Sequence, residues 1–399
     1  MQTSSRLALR YDNIKTIYSL IGRELVNSRV QLAKYTNLSK TTISDMVDEL
    51  LDNGFLVECG IDVNTAMGRK PSILAVNADH NYIHVVSWYR NKLIGALVNT
   101  RMEVIERVER HLSDYDDHVA ETVCLLQENA LLEPMKGRIL GVCIVVPSIV
   151  DDKRQQIVST VLRPENEGNN ILRLRELLPR TPLAILNDTA CYAYAENLAS
   201  ETQEENSIFV NIGKGVGAVW LHKGQMMRGA NGMAMQFGHM SIDRNGPACS
   251  CGSKGCIERM IGEGVLQEMV QAYGLEAQVP ATREVQFRDV GELASHGNGQ
   301  ALEVIRELAQ RLAFGLSNLI SLFHPEVVVI GGYGMNLGVP YLNHVRDAVS
   351  TIGFSQFTSD VDIRFAKVDE SAELQGAAGY YMDHHFEFGK DMRGELFLV

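Results

Sequence analysis

Nowhere in the 399 residues do eighteen apolar residues run together, so no membrane-spanning helix is expected. The N-terminal stretch MQTSSRLALRYDNIK lacks the long apolar core of a signal peptide, which sets secretion aside. A cytoplasmic protein is therefore expected. No short internal repeat and no low-complexity run is present, so repeat architectures are set aside too. Cysteine is scarce, with seven in the chain. A disulfide framework is not expected in a cytoplasmic chain, where clustered cysteines more often bind metal. A general excess of basic charge is also missing, since the net charge is -12.

The content of 45 % hydrophobic and 22 % charged residues is that of a folded protein, and the length allows two or three domains. Charge is spread unevenly. Residues 1–77 carry nine Lys and Arg against eight Asp and Glu, a balance of +1; the rest carries 28 against 41, a balance of -13. A near-neutral N-terminal module on an acidic body can present a local basic face.

That module reads as a helix-turn-helix. Arg29 to Tyr35 is a short helix, Thr36-Asn37-Leu38 a turn, and Ser39 caps a longer helix. Ile43, Met46, Val47, Leu50 and Leu51 make one apolar stripe, and Asn53-Gly54 ends it. Ile14 to Ile21 supplies another helix. FLVECG and PSILAVN then form a hairpin with IDVNTAMGRK as its tip. Three helices and a hairpin make a winged helix-turn-helix, whose second motif helix enters the DNA major groove. Its first turns offer Ser39, Lys40, Thr41, Thr42 and Ser44, short hydroxyls and a cation suited to phosphates and base edges. Arg69 and Lys70 at the wing tip can reach a flanking minor groove. Asp45 and Asp48 share the exposed face with Thr41, and carboxylates repel phosphates.

From Tyr82 onward strands and helices alternate, a mixed α/β pattern. YIHVVSWY and LIGALVN read as adjacent strands, and ILGVCIVVPSIVD as a buried strand running into a loop. PLAILNDTACYAYAEN is a strand turning into a helix at Asn187-Asp188. SIFVNIGKGVGAVWLHKGQMMRG is a glycine-rich hairpin, and PEVVVIGGYG a further strand. Cys59, Cys124, Cys143 and Cys191 stand alone in apolar elements and read as core residues.

The segment RGANGMAMQFGHMSIDRNGPACSCGSKGCIE, with NIGKGVG, LNDTACYAYAE and VVVIGGYG in order, resembles the ROK family of sugar kinases and sugar-responsive repressors. The resemblance covers essentially the whole chain. LSKTTISDMVDELLDNGFL and GRKPSIL are similar to the repressor branch, whose N-terminal module the kinases lack. It implies a two-lobed actin-like body of the sugar-kinase type. The expected division is 1–77 for the DNA-binding domain, 78–190 for the first lobe, completed by a C-terminal helix at about 370–399, and 191–369 for the second lobe with the oligomer interface.

The resemblance gives the cysteines a purpose. Cys249, Cys251 and Cys256 have C-x-C-x4-C spacing with His239 upstream, and the family holds a structural zinc at these positions. Three thiolates and an imidazole close a tetrahedron around Zn²⁺. Gly252 and Gly255 let the backbone fold around it. The family's sugar contacts fall on Asn187, Asp188, Gln236, His239 and Glu258. Taken alone, Asn187-Asp188 also suits a helix cap, with Asp as the capping residue. The chain departs from the family at Gln236, in place of Glu, at Met235, in place of Gly, and at Ser148, in place of Gly.

A kinase needs glycine turns around ATP phosphates. The first should follow the strand at Tyr82, but Val86-Ser87-Trp88-Tyr89-Arg90-Asn91 stands there, without a glycine or a carboxylate, and Trp88, Tyr89 and Arg90 would block a close backbone approach to phosphate. The second, Gly213-Lys214-Gly215-Val216-Gly217, persists with Lys214 in place of Thr, and Asp188 occupies the place of the kinase base. The expectation is a non-enzymatic repressor of carbohydrate genes, bound to operator DNA as a homodimer or homotetramer and controlled by a sugar or sugar phosphate. The alternatives are a sugar kinase carrying a DNA-binding module and a repressor controlled by a protein partner.

Overall fold

The computed structural model describes residues 2–61, 72–113, 117–130, 138–160, 167–200, 205–352, 354–369, 371–388 and 392. The chain divides into two compact units, the first formed by Met1–Ser148, Gln156–Leu186 and Leu374–Val399, the second by Ile149–Gln155 and Asn187–Glu373.

The first unit opens with three helices, α1 (Gln2–Gly22), α2 (Arg29–Thr36) and α3 (Lys40–Asp52). α1 extends well beyond the expected Ile14–Ile21. Asn37 ends α2 at φ 56°, a left-handed turn that Asn tolerates, and Ser39 opens α3. Ile43, Met46, Val47 and Leu50 of α3 are buried, as the stripe requires. Strands β1 (Leu56–Ile61) and β2 (Ser72–Val76) pair antiparallel. The register slips between Glu58 and Ile61, so Cys59 and Gly60 stand opposite a single partner residue, a bulge.

A five-stranded sheet follows, in the order β5-β4-β3-β6-β9. Its strands are β3 (Asn81–Tyr89), β4 (Lys92–Asn99), β5 (Val104–His111), β6 (Arg138–Val146) and β9 (Leu183–Asn187). β3 pairs antiparallel with β4 and parallel with β6. Helix α4 (His118–Ala130) packs on it where Gly95 leaves room; a Cβ there would lie 2.3 Å from Leu125. Strand β8 (Gln156–Thr160), helix α5 (Glu167–Leu177) and most of the late helix α13 (Ala372–His384) also belong to this unit, whereas β7 (Ser148–Asp151) falls almost wholly in the second.

The second unit, after Ile149–Gln155, resumes at Asn187 and holds α6 (Asp188–Ala199), β10 (Asn206–Ile212), β11 (Val216–His222), β12 (Gln225–Met226), β13 (Val327–Gly331) and β14 (Asp362–Phe365). Their order is β12-β11-β10-β13-β14, with β10–β11 antiparallel and β10–β13 parallel. Both sheets thus share one plan: the first strand is central, its hairpin lies on one side, and the crossover strands lie on the other. The core of this unit forms around α10 (Gly299–Phe323), whose Leu308, Leu312, Leu316 and Ile320 are fully buried. Short helices α7 (Ile257–Ile261), α8 (Leu266–Ala272) and α12 (Ser355–Thr358), with α9 (Phe287–Ser295) and α11 (Gly338–Thr351), surround it.

The lone cysteines divide. Cys143 and Cys191 are buried, but Cys59 and Cys124 are exposed. Cys59 lies in the β1 bulge and Cys124 on the outer side of α4, so the expectation of four core residues fails for these two. No helix among the described residues is long and apolar enough to cross a membrane.

Candidate functional site

In the N-terminal module the Ser39 hydroxyl accepts from the Thr42 amide at 3.1 Å and lies 2.8 Å from Thr42 Oγ1. It satisfies an amide that a helix start leaves unpaired, so Ser39 serves the cap before it serves any partner. Lys40 and Thr41 are exposed, and Thr42 and Ser44 half-buried. Arg69 and Lys70 lie outside the described residues.

Asp48 is not an open charge. Arg29 donates to Asp48 Oδ1 and to Glu58 Oε1, each at 2.7 Å, and Arg10 of α1 pairs with Glu49 of α3. Cations of the first two helices thereby cancel carboxylates of the third. Local sequence spacing gives no sign of pairs so far apart.

In the zinc-like loop a ring nitrogen of His239 and the sulfurs of Cys249, Cys251 and Cys256 all lie within 4.8 Å of one another. Cys249 Sγ is 3.7 Å from His239 Nδ1, and Cys251 Sγ 3.6 Å from Cys256 Sγ. A tetrahedral zinc with sulfurs at about 2.3 Å has edges of about 3.8 Å, so the donor set fits that ion. Two isolated bridges, Ser241 with Cys256 and Ala248 with Lys254, frame the loop. Gly255 must be glycine: φ is 61°, and a Cβ would lie 1.8 Å from the Asp243 carbonyl oxygen. Cys256 leads into α7. There Gly315 of α10 makes room for Ile257, 2.4 Å from where a Cβ would be, and for Phe237.

Asn187, Asp188, Gln236, His239 and Glu258 come from three segments that meet at the start of β11. Glu258 Oε2 accepts from the Val216 amide at 3.3 Å. Gly238, between Gln236 and His239, packs so closely that a Cβ would lie 1.9 Å from the Val216 carbonyl oxygen. Thr189, next to Asp188, abuts Gly217, where a Cβ would lie 2.5 Å from its hydroxyl. Asn187, not Asp188, caps α6: its side-chain oxygen accepts from the Ala190 amide at 3.0 Å. This corrects the capping assignment, because the chain becomes helical at Asp188 itself. Met235 holds the left-handed conformation, φ 61°, that glycine adopts freely, at a cost of roughly 1–2 kcal/mol.

Asp188 Oδ1 accepts from the Thr189 amide at 2.6 Å and from Asn187 Nδ2 at 3.1 Å. Burial, with the charge of Glu373 second, pushes its carboxyl up to about 7, against the pull of the Thr189 amide and hydroxyl. A carboxyl whose folded pKa lies above its unfolded value adds stability below the unfolded pKa, near 4, that is lost as pH rises through 7. From pH 5 to pH 8, wild type should therefore lose up to about 2 kcal/mol relative to Asp188→Asn, less as water reaches the half-buried group. Thermal melts of both proteins across that range measure it; parallel curves would refute the shift.

The two turns expected to hold phosphate have other occupants. Tyr89 pairs with Lys92, so β3 and β4 join through Arg90 and Asn91 alone. Trp88 does not line this turn as the sequence reading has it: it is buried, and its indole N–H donates to Thr122 of α4 at 2.9 Å. In the β10–β11 turn the Gly213 amide donates to the Gly215 carbonyl at 2.9 Å, and the Val216 amide to Glu258. The Tyr333 ring lies 3.4 Å from where a Gly213 Cβ would be. A carboxylate at this turn repels a phosphate.

The ROK family model matches residues 90–383, starting just past the helical module and its hairpin. The chain belongs to the ROK family. It is 24 % identical over 393 residues to the xylose repressor of Bacillus subtilis, covering 97 % of this chain and 99 % of that protein. Among solved structures it resembles a ROK family transcriptional regulator, a homologue of the Escherichia coli Mlc protein, at a TM-score of 0.81 and 23 % identity, covering 97 % and 100 % of the two chains. It also resembles a ROK family glucokinase of Streptomyces griseus, at 0.63 and 22 %, covering 75 % of this chain and 98 % of that one. Regulators and kinases share the body; the kinase leaves a quarter of this chain unmatched.

Proposed function

We propose that the chain is a sequence-specific DNA-binding repressor of carbohydrate genes, controlled by a sugar, and not a kinase. One observation carries this reading: a helix-turn-helix and hairpin precede a sugar-kinase body whose first phosphate turn is reduced to Arg90 and Asn91 between paired strands and whose second is occupied by its own Tyr333 and Glu258. The name of the Bacillus subtilis relative points the same way. Residues 1–77 bind DNA through Lys40, Thr41, Thr42, Ser44 and the wing residues Arg69 and Lys70. Asn187, Asp188, Gln236, His239 and Glu258 bind the sugar. His239, Cys249, Cys251 and Cys256 hold a structural zinc, whose tetrahedral bonding would fix the loop between Met240 and Cys256. The carboxylates of Asp188, Glu258 and nearby Glu373 favour a neutral sugar over a sugar phosphate. One reading helix per chain calls for two half-sites and at least a homodimer.

The test is operator selection from random DNA, followed by binding at several salt concentrations with and without D-xylose, D-glucose or N-acetylglucosamine. Lys40→Ala should weaken operator binding several-fold and lower the salt slope by about one. A sugar that releases DNA should be recovered unphosphorylated after incubation with ATP and Mg²⁺. Turnover abolished by Asp188→Asn would instead make the protein a kinase.

A further inference from the structure

Between β12 and Gln236 the chain makes a closed loop that the reading above leaves unused. The Arg228 carbonyl accepts from the Ala234 amide at 3.2 Å and closes it. Gly229 and Gly232 take φ of 67° and 82° inside the loop, and Met235 takes 61° at its exit. Hydrogen bonds then pass along the chain to the proposed sugar contacts. Gln236 Nε2 donates to the Met233 carbonyl at 3.1 Å, the Phe237 amide to the Met235 carbonyl at 2.7 Å, and the His239 amide to the Gln236 carbonyl at 3.1 Å.

A distant segment holds the base of this loop. The Arg228 guanidinium pairs with the Asp152 carboxylate at the tip of the β7–β8 hairpin. The Asp152 amide donates to the Asn231 carbonyl at 3.1 Å. Gly232 approaches so closely that a Cβ would lie 2.5 Å from Asp152 Cβ. Gln155 Nε2 braces Asp152 by donating to its carbonyl at 2.9 Å and to Oδ1 at 3.0 Å. The paired side chains are only 31 % and 15 % exposed, which separates them from open surface pairs of negligible strength. Without the tie, a loop with two glycines and an unfavourable Met235 would sample many conformations, and ligand binding would bear the ordering cost.

We propose that Arg228 and Asp152 are positioning residues of the effector site: they set the loop that presents Gln236 and His239, and so its affinity and selectivity for sugars. The proposal rests on the reading of those two residues as sugar contacts. It adds Arg228 and Asp152, separated by 76 positions, as a unit that touches no sugar.

The test compares wild type with Arg228→Lys, Arg228→Met, Asp152→Asn and the reversed pair Arg228→Asp with Asp152→Arg, all as full chains. Hydrogen exchange is measured without sugar, and affinity with D-xylose, D-glucose and N-acetylglucosamine. Amides of residues 229–235 should exchange at least tenfold faster in Arg228→Met and Asp152→Asn. Sugar affinity should fall about tenfold, with zinc content and melting cooperativity kept, and Arg228→Lys or the reversed pair should restore part of it. Unchanged exchange overturns the proposal. So does faster exchange with unchanged affinity, which would make the pair a structural tie alone. Wild type that binds none of the sugars would instead remove the sugar reading, a result separable from a wild type that binds and variants that bind equally well.

Discussion

Purified Cys251→Ser protein should hold no zinc where wild type holds about one ion per chain, and its sugar affinity should fall at least tenfold. Cys251 is the right ligand to remove because it is exposed, whereas Cys256 is fully buried and its loss would also open the core. The stability loss should stay well below the roughly 10–16 kcal/mol that zinc contributes to peptides with no other core. Here Ile257 and Phe237 remain docked on α10 beside Gly315, and the Ser241 and Ala248 bridges remain possible. The damage should therefore centre on residues 240–256. Affinity should suffer because His239 is both a proposed zinc ligand and a proposed sugar contact, and Glu258 stands two residues past Cys256, its carboxylate on the Val216 amide. Metal analysis, calorimetric sugar titration and operator binding on one preparation decide the matter. Zinc-free protein that binds sugar as wild type does would reduce the metal to local scaffolding.

What could be read from the sequence was local. Ser39, the stripe from Ile43 to Leu50 and Gly54 lie within one helix and its ends, so cap, period and stop signal agree without tertiary information. Three cysteines in eight residues likewise declare a loop. What depended on distant pairing stayed hidden. Arg29 meets Asp48 and Glu58 across 19 and 29 positions, and no periodicity encodes that. Trp88 looked like an obstruction at a turn because the sequence does not show which side of β3 faces α4. Exposed Cys59 follows from a one-residue bulge, a slip that an apolar strand pattern cannot signal. The common strand order of the two sheets leaves no repeat in the sequence, because topology constrains hydrophobic pattern and not residue identity. Gln236 and Glu258 were legible only through resemblance; their convergence on Val216 is a property of the folded second unit.

Phe55→Ala should cost about 3–5 kcal/mol and should weaken operator binding while leaving sugar affinity intact. Phe55 follows α3 by three residues and is fully buried. Its ring centroid lies 5.9 Å from that of Tyr18 on α1, and 5.6 and 5.4 Å from those of Phe386 and Phe388, beyond the end of α13. The Arg138 guanidinium sits 5.0 Å from it and also donates to the Asn53 carbonyl at 3.0 Å and to the Met392 carbonyl at 2.8 Å. Lys15 donates to the Asp383 carbonyl, and Arg23 reaches the Asp383 carboxylate at 3.6 Å. The helical module is therefore seated on the C-terminal segment through the Phe55 ring, the Tyr18 ring, whose centroid lies 5.1 Å from that of Phe388, and a few polar ties. Removing the ring creates a cavity at that seat, and the polar ties that remain are partly exposed and weak. Unfolding should then begin with an early transition of the module, before the body melts. The sugar should also lose part of its control over DNA, since an effector shifts DNA affinity only through states that it binds unequally. Phe314→Ala, which removes a ring already 54 % exposed, should change none of these. Calorimetry and operator titration with and without sugar separate the outcomes. A single unshifted transition with full operator affinity in Phe55→Ala would mean that the module stands on its own and that sugar reaches it by another route.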